Sequence, residues 1–310
     1  MTAAATAEPL RRRALRWGAH LTGLLLLGWF LRGVSWGELG LALRQTSGRA
    51  LVGVMAMAFG STALQGLRFW VLCPAGLSLR KHIQLSFALH AGNILLPLRA
   101  GELLRPFYLR RLRPHTSLTT VLGFSLLEKL VQALTLLPFV SVAAWLLSAQ
   151  PTHAAALRQL ATWLAVLTAA MLGLGLAWQT YRTRTKKPPA WALTARQWLL
   201  VVLSSLGMWL CNFAVFYFVL PSGPLALALL VAVSAASALP SLPAGLGTYE
   251  AAFLWVGQLA QLPQAQLQAA ALVSHLLQLL VTLAIGVPLL LHWGWPQRAS
   301  LRAKPLAGSP

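Results

Sequence analysis

Apolar residues fall in long blocks rather than in alternation, and the blocks differ in length. Residues 51–72, 118–147, 159–178, 197–220 and 267–292 are long enough to span a bilayer, and 17–31 sits at the lower limit of the roughly 17–25 residues a spanning helix needs. Two further blocks, 83–97 and 225–239, are too short. Each runs into a Pro/Gly break and is followed by a second short helical piece, 101–113 and 248–260. Pro106 falls inside the first of these pieces and is expected to kink it. The pattern predicts an all-α polytopic membrane protein with about six transmembrane helices and two re-entrant helical hairpins, 83–113 and 225–260. Trp293 and Trp295 follow the last block, as expected at a membrane–water interface.

Read this way, residues 1–310 form a single membrane domain of two halves, 14–147 and 159–292, each in the order helix, helix, hairpin, helix. Residues 1–13 and 296–310 are basic tails. Basic clusters at 11–16, 80–81, 99–113, 182–196 and 298–304 all fall on one side if both hairpins return to the side they enter from. Cytoplasmic loops carry the excess of Lys and Arg, so both termini are expected in the cytoplasm and the protein in the cell (inner) membrane. The first half then starts inside and the second outside, which is an inverted-topology repeat with two hairpin tips meeting near mid-membrane.

Composition agrees. The chain is 57% hydrophobic and 10% charged, with a mean hydropathy of +0.67, whereas a soluble domain carries about 25% charged residues. The net charge of +20 lies at the ends of apolar segments, where it sets topology and attracts anionic lipid headgroups, so nucleic acid is not an expected partner. Cys73 and Cys211 lack any close-spaced partner, the seven His form no ligand cluster, and no phosphate-binding loop of the GxxxxGK[ST] type occurs. No metal, cofactor or nucleotide is expected. Arg11, Arg12, Arg13 and Arg16 precede the first block like a signal peptide, but no small-residue cleavage site follows, which favours a retained helix.

The chemistry is concentrated in five carboxylates, all Glu. Glu8 and Glu38 lie in polar flanks; Glu102, Glu128 and Glu250 lie in or beside apolar segments. Charge at membrane depth costs about 2.5–3.5 kcal/mol on insertion scales and usually marks function. In the first hairpin, Asn93, Pro97, Arg99, Gly101, Glu102 and Arg105 surround the break, with Arg99, Glu102 and Arg105 spaced to share a helical face. In the second, Pro240, Pro243, Gly245 and Gly247 make the break, Thr248 is a candidate N-cap, and Glu250 lies in the first turn. Glu128 and Lys129 are adjacent inside a long apolar helix and cannot pair with each other, so each needs a partner elsewhere; Glu102 or Glu250 would serve Lys129. Asn93, Arg99, Glu102, Arg105 and Glu250 are the candidate headgroup-binding residues. The alternative is structural: an ion pair with snorkelling arginines at the first break, a capped turn at the second, and one internal bridge at Glu128 and Lys129. His90 and His275 are lone histidines on apolar helices, suited to core packing or to a proton relay.

These three groups of residues together resemble the lysylphosphatidylglycerol synthase transmembrane region family, a flippase-like membrane domain. Asn93, Pro97, Arg99, Gly101, Glu102 and Arg105 are similar to its first signature, Glu128–Lys129 to its Glu–Arg pair, and Pro243, Gly245, Gly247 and Glu250 to its second signature, over roughly residues 10–295. Lys129 stands where that family usually has Arg, and Gln132 where an acidic residue is common. Bifunctional members attach lysine to phosphatidylglycerol in a separate soluble domain and translocate the product. Residues 1–310 contain no such domain, so the resemblance implies translocation rather than catalysis: a lipid flippase or translocase-like transporter moving a polar or anionic headgroup through a midplane cavity. The implied partners are membrane lipids, either anionic phospholipid or polyprenyl-phosphate-linked. A membrane enzyme, or a non-catalytic assembly factor of a lipid or lipid-linked glycan pathway, is the alternative. The topology is checked by labelling: in a cysteine-free background, Lys187→Cys should react with a thiol reagent from the cytoplasmic side only, and labelling from outside the cell would reverse the assignment.

Overall fold

The computed structural model describes residues 46–73, 76–96, 101–102, 104–112, 118–147, 193–237 and 243–293, and singly 37, 40, 41, 44, 159, 162 and 166. The expected span 17–31, all of 159–178 except residues 159, 162 and 166, both tails, and Pro97, Arg99 and Pro240 lie outside the described residues. Within them the chain is helical: α1 (Gly48–Leu72), α2 (Leu79–Leu95), α3 (Leu104–Leu112), α4 (Leu118–Leu147), α5 (Ala195–Val219), α6 (Gly223–Ala236), a short 3-10 turn (Pro243–Gly245), α7 (Thr248–Leu259) and α8 (Gln264–Trp293). Local chemistry fixes the starts. Ser47 and Ser78 cap α1 and α2 through their hydroxyls, and Thr194 and Gln197 form a reciprocal capping box on α5. Pro106 produces no kink. It sits in the first turn of α3, where a backbone N–H has no intrahelical acceptor to lose.

Four helices, α1, α5, α8 and most of α4, are long and apolar enough to cross a membrane. Their outward faces stay apolar: Val52, Leu126, Leu210 and Leu291 are all more than half exposed. A surface of that kind is suited to lipid rather than water.

α1 and α5 form the central pair and run antiparallel. Gly53 lies against Phe218, Gly60 against Cys211 and Gly207 against Leu64, while the Ser61 hydroxyl donates to Asn212 Oδ1 at 3.0 Å. Small residues let the two backbones approach where lipid supplies no hydrophobic drive for helix association. α2 and α8 are also antiparallel. Gly286 packs on the Phe87 carbonyl and Ala91, and the Lys81 ammonium lies 5.7 Å from the Trp293 ring centroid.

α3 folds back along α2: Gly101 sits on Leu89 and Asn93, Leu104 meets Gly92, and the Tyr108 ring is 5.5 Å from Trp293. Both ends of this hairpin therefore lie at the Trp293 end of the bundle, together with Arg80, Lys81, Arg110, Arg111 and Arg196. α7 packs on α6, and Gly257 meets Leu267 near the start of α8, so the second hairpin opens at the opposite end. Its 3-10 turn packs on α2. Two apolar cores result, one around Leu72, Leu89 and Tyr108, the other around Met208, Phe216 and Phe253.

The helix pairings have a regularity of their own. Exchanging α1 with α5, α2 with α6, α3 with α7 and α4 with α8 maps α1–α2 onto α5–α6, α2–α8 onto α4–α6, and α1–α8 onto α4–α5. It likewise maps α2–α3 onto α6–α7, α3–α4 onto α7–α8, and α1–α4 onto α5–α8, and it leaves α1–α5 in place. Close approach at the helix crossings can be tested by adding one methyl group. Gly286→Ala forces α8 away from the α2 backbone and should cost about 1–3 kcal/mol, the usual range for overpacking. Gly123→Ala, with nothing within 4 Å, should be neutral or slightly stabilising. Thermal unfolding in detergent reads the difference, and equal midpoints would show that the crossing has slack.

Candidate functional site

The first cluster is built on α4. Glu128 is 1% exposed and takes a guanidinium on each oxygen: Oε1 is 3.0 Å from Arg68 Nη2, and Oε2 is paired with Arg105 Nη1. Arg68, fully buried on α1, also donates to Ser205 Oγ on α5 at 3.2 Å and to Gln132 Oε1 at 3.3 Å. Arg105 lies 4.2 Å from the centroid of the Phe69 ring, and its Nη2 is 3.4 Å from Glu102 Oε2. Lys129 points away from Glu128, as adjacent helical residues must, and its Nζ is 2.9 Å from Glu102 Oε1. The Asn93 side-chain carbonyl accepts the Glu102 N–H at 3.1 Å. Gly101 beside it has no room for a Cβ against Leu89 and Asn93, so this break requires glycine.

Charges therefore alternate along a chain, Arg68, Glu128, Arg105, Glu102, Lys129, that ties α1, α3 and α4 to the first hairpin break. Three cations face two carboxylates, a surplus of one positive charge. The chain is dry at the Glu128 end and wet at the other, where the Lys129 and Glu102 side chains are 48% and 28% exposed.

The second cluster is built on α7 and α8. Gly247, not Thr248, is the N-cap of α7; Glu250 reaches back and accepts the Gly247 N–H at 2.7 Å on Oε2. Its other oxygen is 2.7 Å from His275 Nδ1, and His275 Nε2 is 3.0 Å from the Ala244 carbonyl oxygen. The partner of Glu250 is thus a histidine, neither an arginine nor Lys129. The turn is left-handed at Ala244, Gly245 and Gly247 (φ 67°, 79° and 85°). Two of these positions are glycine, which adopts such angles freely. Ala244 does not, at a cost of about 1–2 kcal/mol, and the His275 bond to its carbonyl holds it in place. Tyr249 stacks on the His275 ring at 4.1 Å, and its hydroxyl is bonded to Ser274 and Gln278, both at 2.9 Å.

The two clusters share a plan. Lys129 and His275 each lie eleven residues past the first residue of a 30-residue helix, α4 from Leu118 and α8 from Gln264. That is a depth of about 17 Å at 1.5 Å per residue. Each holds the glutamate of the preceding hairpin break.

The sequence-predicted residues therefore divide in two. Asn93, Gly101, Glu102, Arg105, Glu128 and Lys129 come together, while Pro243, Gly245, Gly247 and Glu250 form a separate site with His275. Sequence reasoning passed over Arg68, Ser205 and Tyr249. Arg68 carried a usable signal as a charge inside an apolar span, but its position four residues before the end of α1 imitates a snorkelling side chain.

The family described as lysylphosphatidylglycerol synthase TM region matches residues 16–286, which take in both clusters. The chain belongs to this family. It is a multi-pass membrane protein of a lipid-related membrane family. No curated protein matches the chain.

The two ends of the charge chain should respond differently to mutation. Glu128→Gln leaves the Arg68 guanidinium buried without a carboxylate and Arg105 with Glu102 alone, and should cost about 3–5 kcal/mol. Lys129→Ala breaks a half-exposed pair and should cost about 1 kcal/mol or less. Equilibrium unfolding in mixed micelles separates them, and equal losses would place Lys129 in the dry core.

Proposed function

We propose that this protein is a lipid translocase, moving an anionic headgroup past the first hairpin break while the acyl chains stay in the bilayer. The observation that carries the reading is the surplus positive charge of the Arg68–Lys129 chain, with its solvated end at Lys129 and Glu102. A monoanionic phosphate arriving there would neutralise the cluster. It would compete with Glu102 for Lys129 and for the outer face of Arg105, and Glu102 would swing aside as it binds. Nothing in this sequence of events makes or breaks a covalent bond, so the protein acts as a transporter and not as an enzyme. Candidate substrates are anionic phospholipids and polyprenyl-phosphate-linked lipids, which share the phosphate.

In this reading α2–α3 and α6–α7 are re-entrant hairpins of an inverted repeat. The exchangeable helix pairings, the antiparallel α1–α5 pair and the opposite openings of the hairpins support it. The basic end that holds Arg80, Lys81, Arg110, Arg111 and Arg196 supports a cytoplasmic orientation of that end, and with it a cell-membrane protein whose termini are both inside.

The test is a reconstituted translocation assay with fluorescent phosphatidylglycerol, phosphatidylcholine and a labelled polyprenyl phosphate. Lys129→Glu reverses the surplus charge at a half-exposed position that tolerates change. It should slow the anionic lipids by about tenfold or more, equivalent to at least about 1.4 kcal/mol, and leave the zwitterionic lipid unaffected. Equal rates for native protein and variant on every lipid would overturn the reading.

A further inference from the structure

We infer that Glu250 and His275 form a proton-binding site, holding between them one exchangeable proton whose loss releases the turn of the second hairpin from α8. The argument is one of counting hydrogens. His275 Nε2 faces the Ala244 carbonyl at 3.0 Å, and a carbonyl oxygen only accepts, so Nε2 carries hydrogen. His275 Nδ1 faces Glu250 Oε1 at 2.7 Å, a contact that requires one hydrogen between the two atoms. That hydrogen resides on Nδ1, giving imidazolium and carboxylate, or on Oε1, giving neutral imidazole and carboxylic acid. Both arrangements contain the same proton and are neutral overall. Oε2 is occupied in either case by the Gly247 N–H.

With one proton removed, a single hydrogen is left for two contacts: on Nε2 it sets the Glu250 carboxylate against the Nδ1 lone pair at 2.7 Å, and on Nδ1 it keeps the Glu250 bond but sets the Nε2 lone pair against the Ala244 carbonyl at 3.0 Å. Two facing acceptors inside the bundle repel and neither is solvated, so in either tautomer the His275 link between Glu250 and Ala244, which keeps an alanine in the left-handed region, is broken. Ala244, Gly245 and Leu246 are only partly buried, which leaves the turn at the surface of the bundle as the exit for the proton. The latch is therefore closed while the proton is present and opens when rising pH removes it.

No other ionisable group among the described residues substitutes for this proton. Tyr249 stacks on the ring, with its hydroxyl held by Ser274 and Gln278. α6 carries no ionisable side chain. On α5, Arg196 lies at the first turn, Cys211 faces Gly60 and Tyr217 stacks on Phe213. On α1, Arg49 lies at the first turn and Arg68 is held by Glu128. On α2, which packs against the turn, Arg80 and Lys81 lie at the far end, and the Nδ1 atoms of His82 and His90 are bonded to the Ser78 and Ser86 carbonyls. On α8, His292 lies in the last turn.

The site has a ligand, a proton, and a moving part, the turn 243–247. Coupling of that movement to headgroup passage rests on the translocase reading; the proton site itself does not. Glu250→Gln makes the test selective. Its amide oxygen can accept the Gly247 N–H and its NH2 can donate to His275 Nδ1, so every hydrogen bond survives and the dissociable proton is gone.

The full-length protein and the variant are reconstituted in vesicles of phosphatidylglycerol and phosphatidylcholine and followed against pH by hydrogen exchange of residues 243–250, corrected for the intrinsic rate, and by the infrared carboxyl band. Native protein should lose protection of the turn by about tenfold or more as pH rises, a local opening of the kind exchange measures, while Glu250→Gln stays protected throughout. If the native and variant profiles coincide, whether both flat or both titrating, the proton site is overturned. Fluorescent phosphatidylglycerol translocation is measured in the same vesicles. A titrating latch without translocation would sink only the translocase reading, and translocation with a latch indifferent to pH would sink only the proton site.

Discussion

A carboxylate buried in a membrane bundle must be paired on every side, and the rest of the first half of this protein follows from that requirement at Glu128. Its two oxygens take one guanidinium each, from α1 and from α3. Arg68 in turn draws in Ser205 on α5, and Arg105 draws in Glu102 at the hairpin break. Desolvating such charges costs several kcal/mol apiece, and only close, multiply bonded partners offset it. The network therefore fixes where the short α3 sits against the long helices, a placement that its nine residues could not secure by apolar burial alone.

Most of the fold was legible in the block pattern. The length of α4 is written in the long apolar block 118–147, interrupted by Glu128 and Lys129, and the two hairpins in the contrast between short blocks and Pro/Gly breaks. At the start of α7 the expected cap falls one residue too late. Thr248 has the chemistry of a cap, but Gly247 can adopt the left-handed angle the turn needs; the Thr248 hydroxyl donates to the Gly245 carbonyl instead, and the Glu250 carboxylate accepts the Gly247 N–H. Pro106 looked like a kink because its distance from the start of α3 could not be fixed from sequence.

The site was legible by residue type but not by partner. Rarity of charge at depth picks out Glu102, Glu128, Lys129 and Glu250 without any structure. Which cation meets which anion depends on how helices far apart in sequence lie side by side, and here similar chemistry misleads. By residue type Glu250 would serve Lys129 as well as Glu102 does, yet its neighbour on α8 is a histidine that also reads as ordinary packing. Arg68 shows the converse, since a long cation near a helix end is a snorkelling residue by default and becomes a core residue only because α4 brings a carboxylate to it.

The two hairpins use one device with two outcomes. In each, a glutamate at a glycine-containing break is held by a residue eleven positions into the following long helix. In the first the partner is a half-exposed lysine at the wet end of the charge chain. In the second the partner is a buried imidazole, held between the Glu250 carboxylate and the Ala244 carbonyl. On the proposals made above, equivalent positions in the two sets of helices would serve different ligands through one change of side chain, Lys against His, and one change of burial. An anion at one break and a proton at the other would then be distinct ligands, and their binding could be coupled through the helices that hold both breaks.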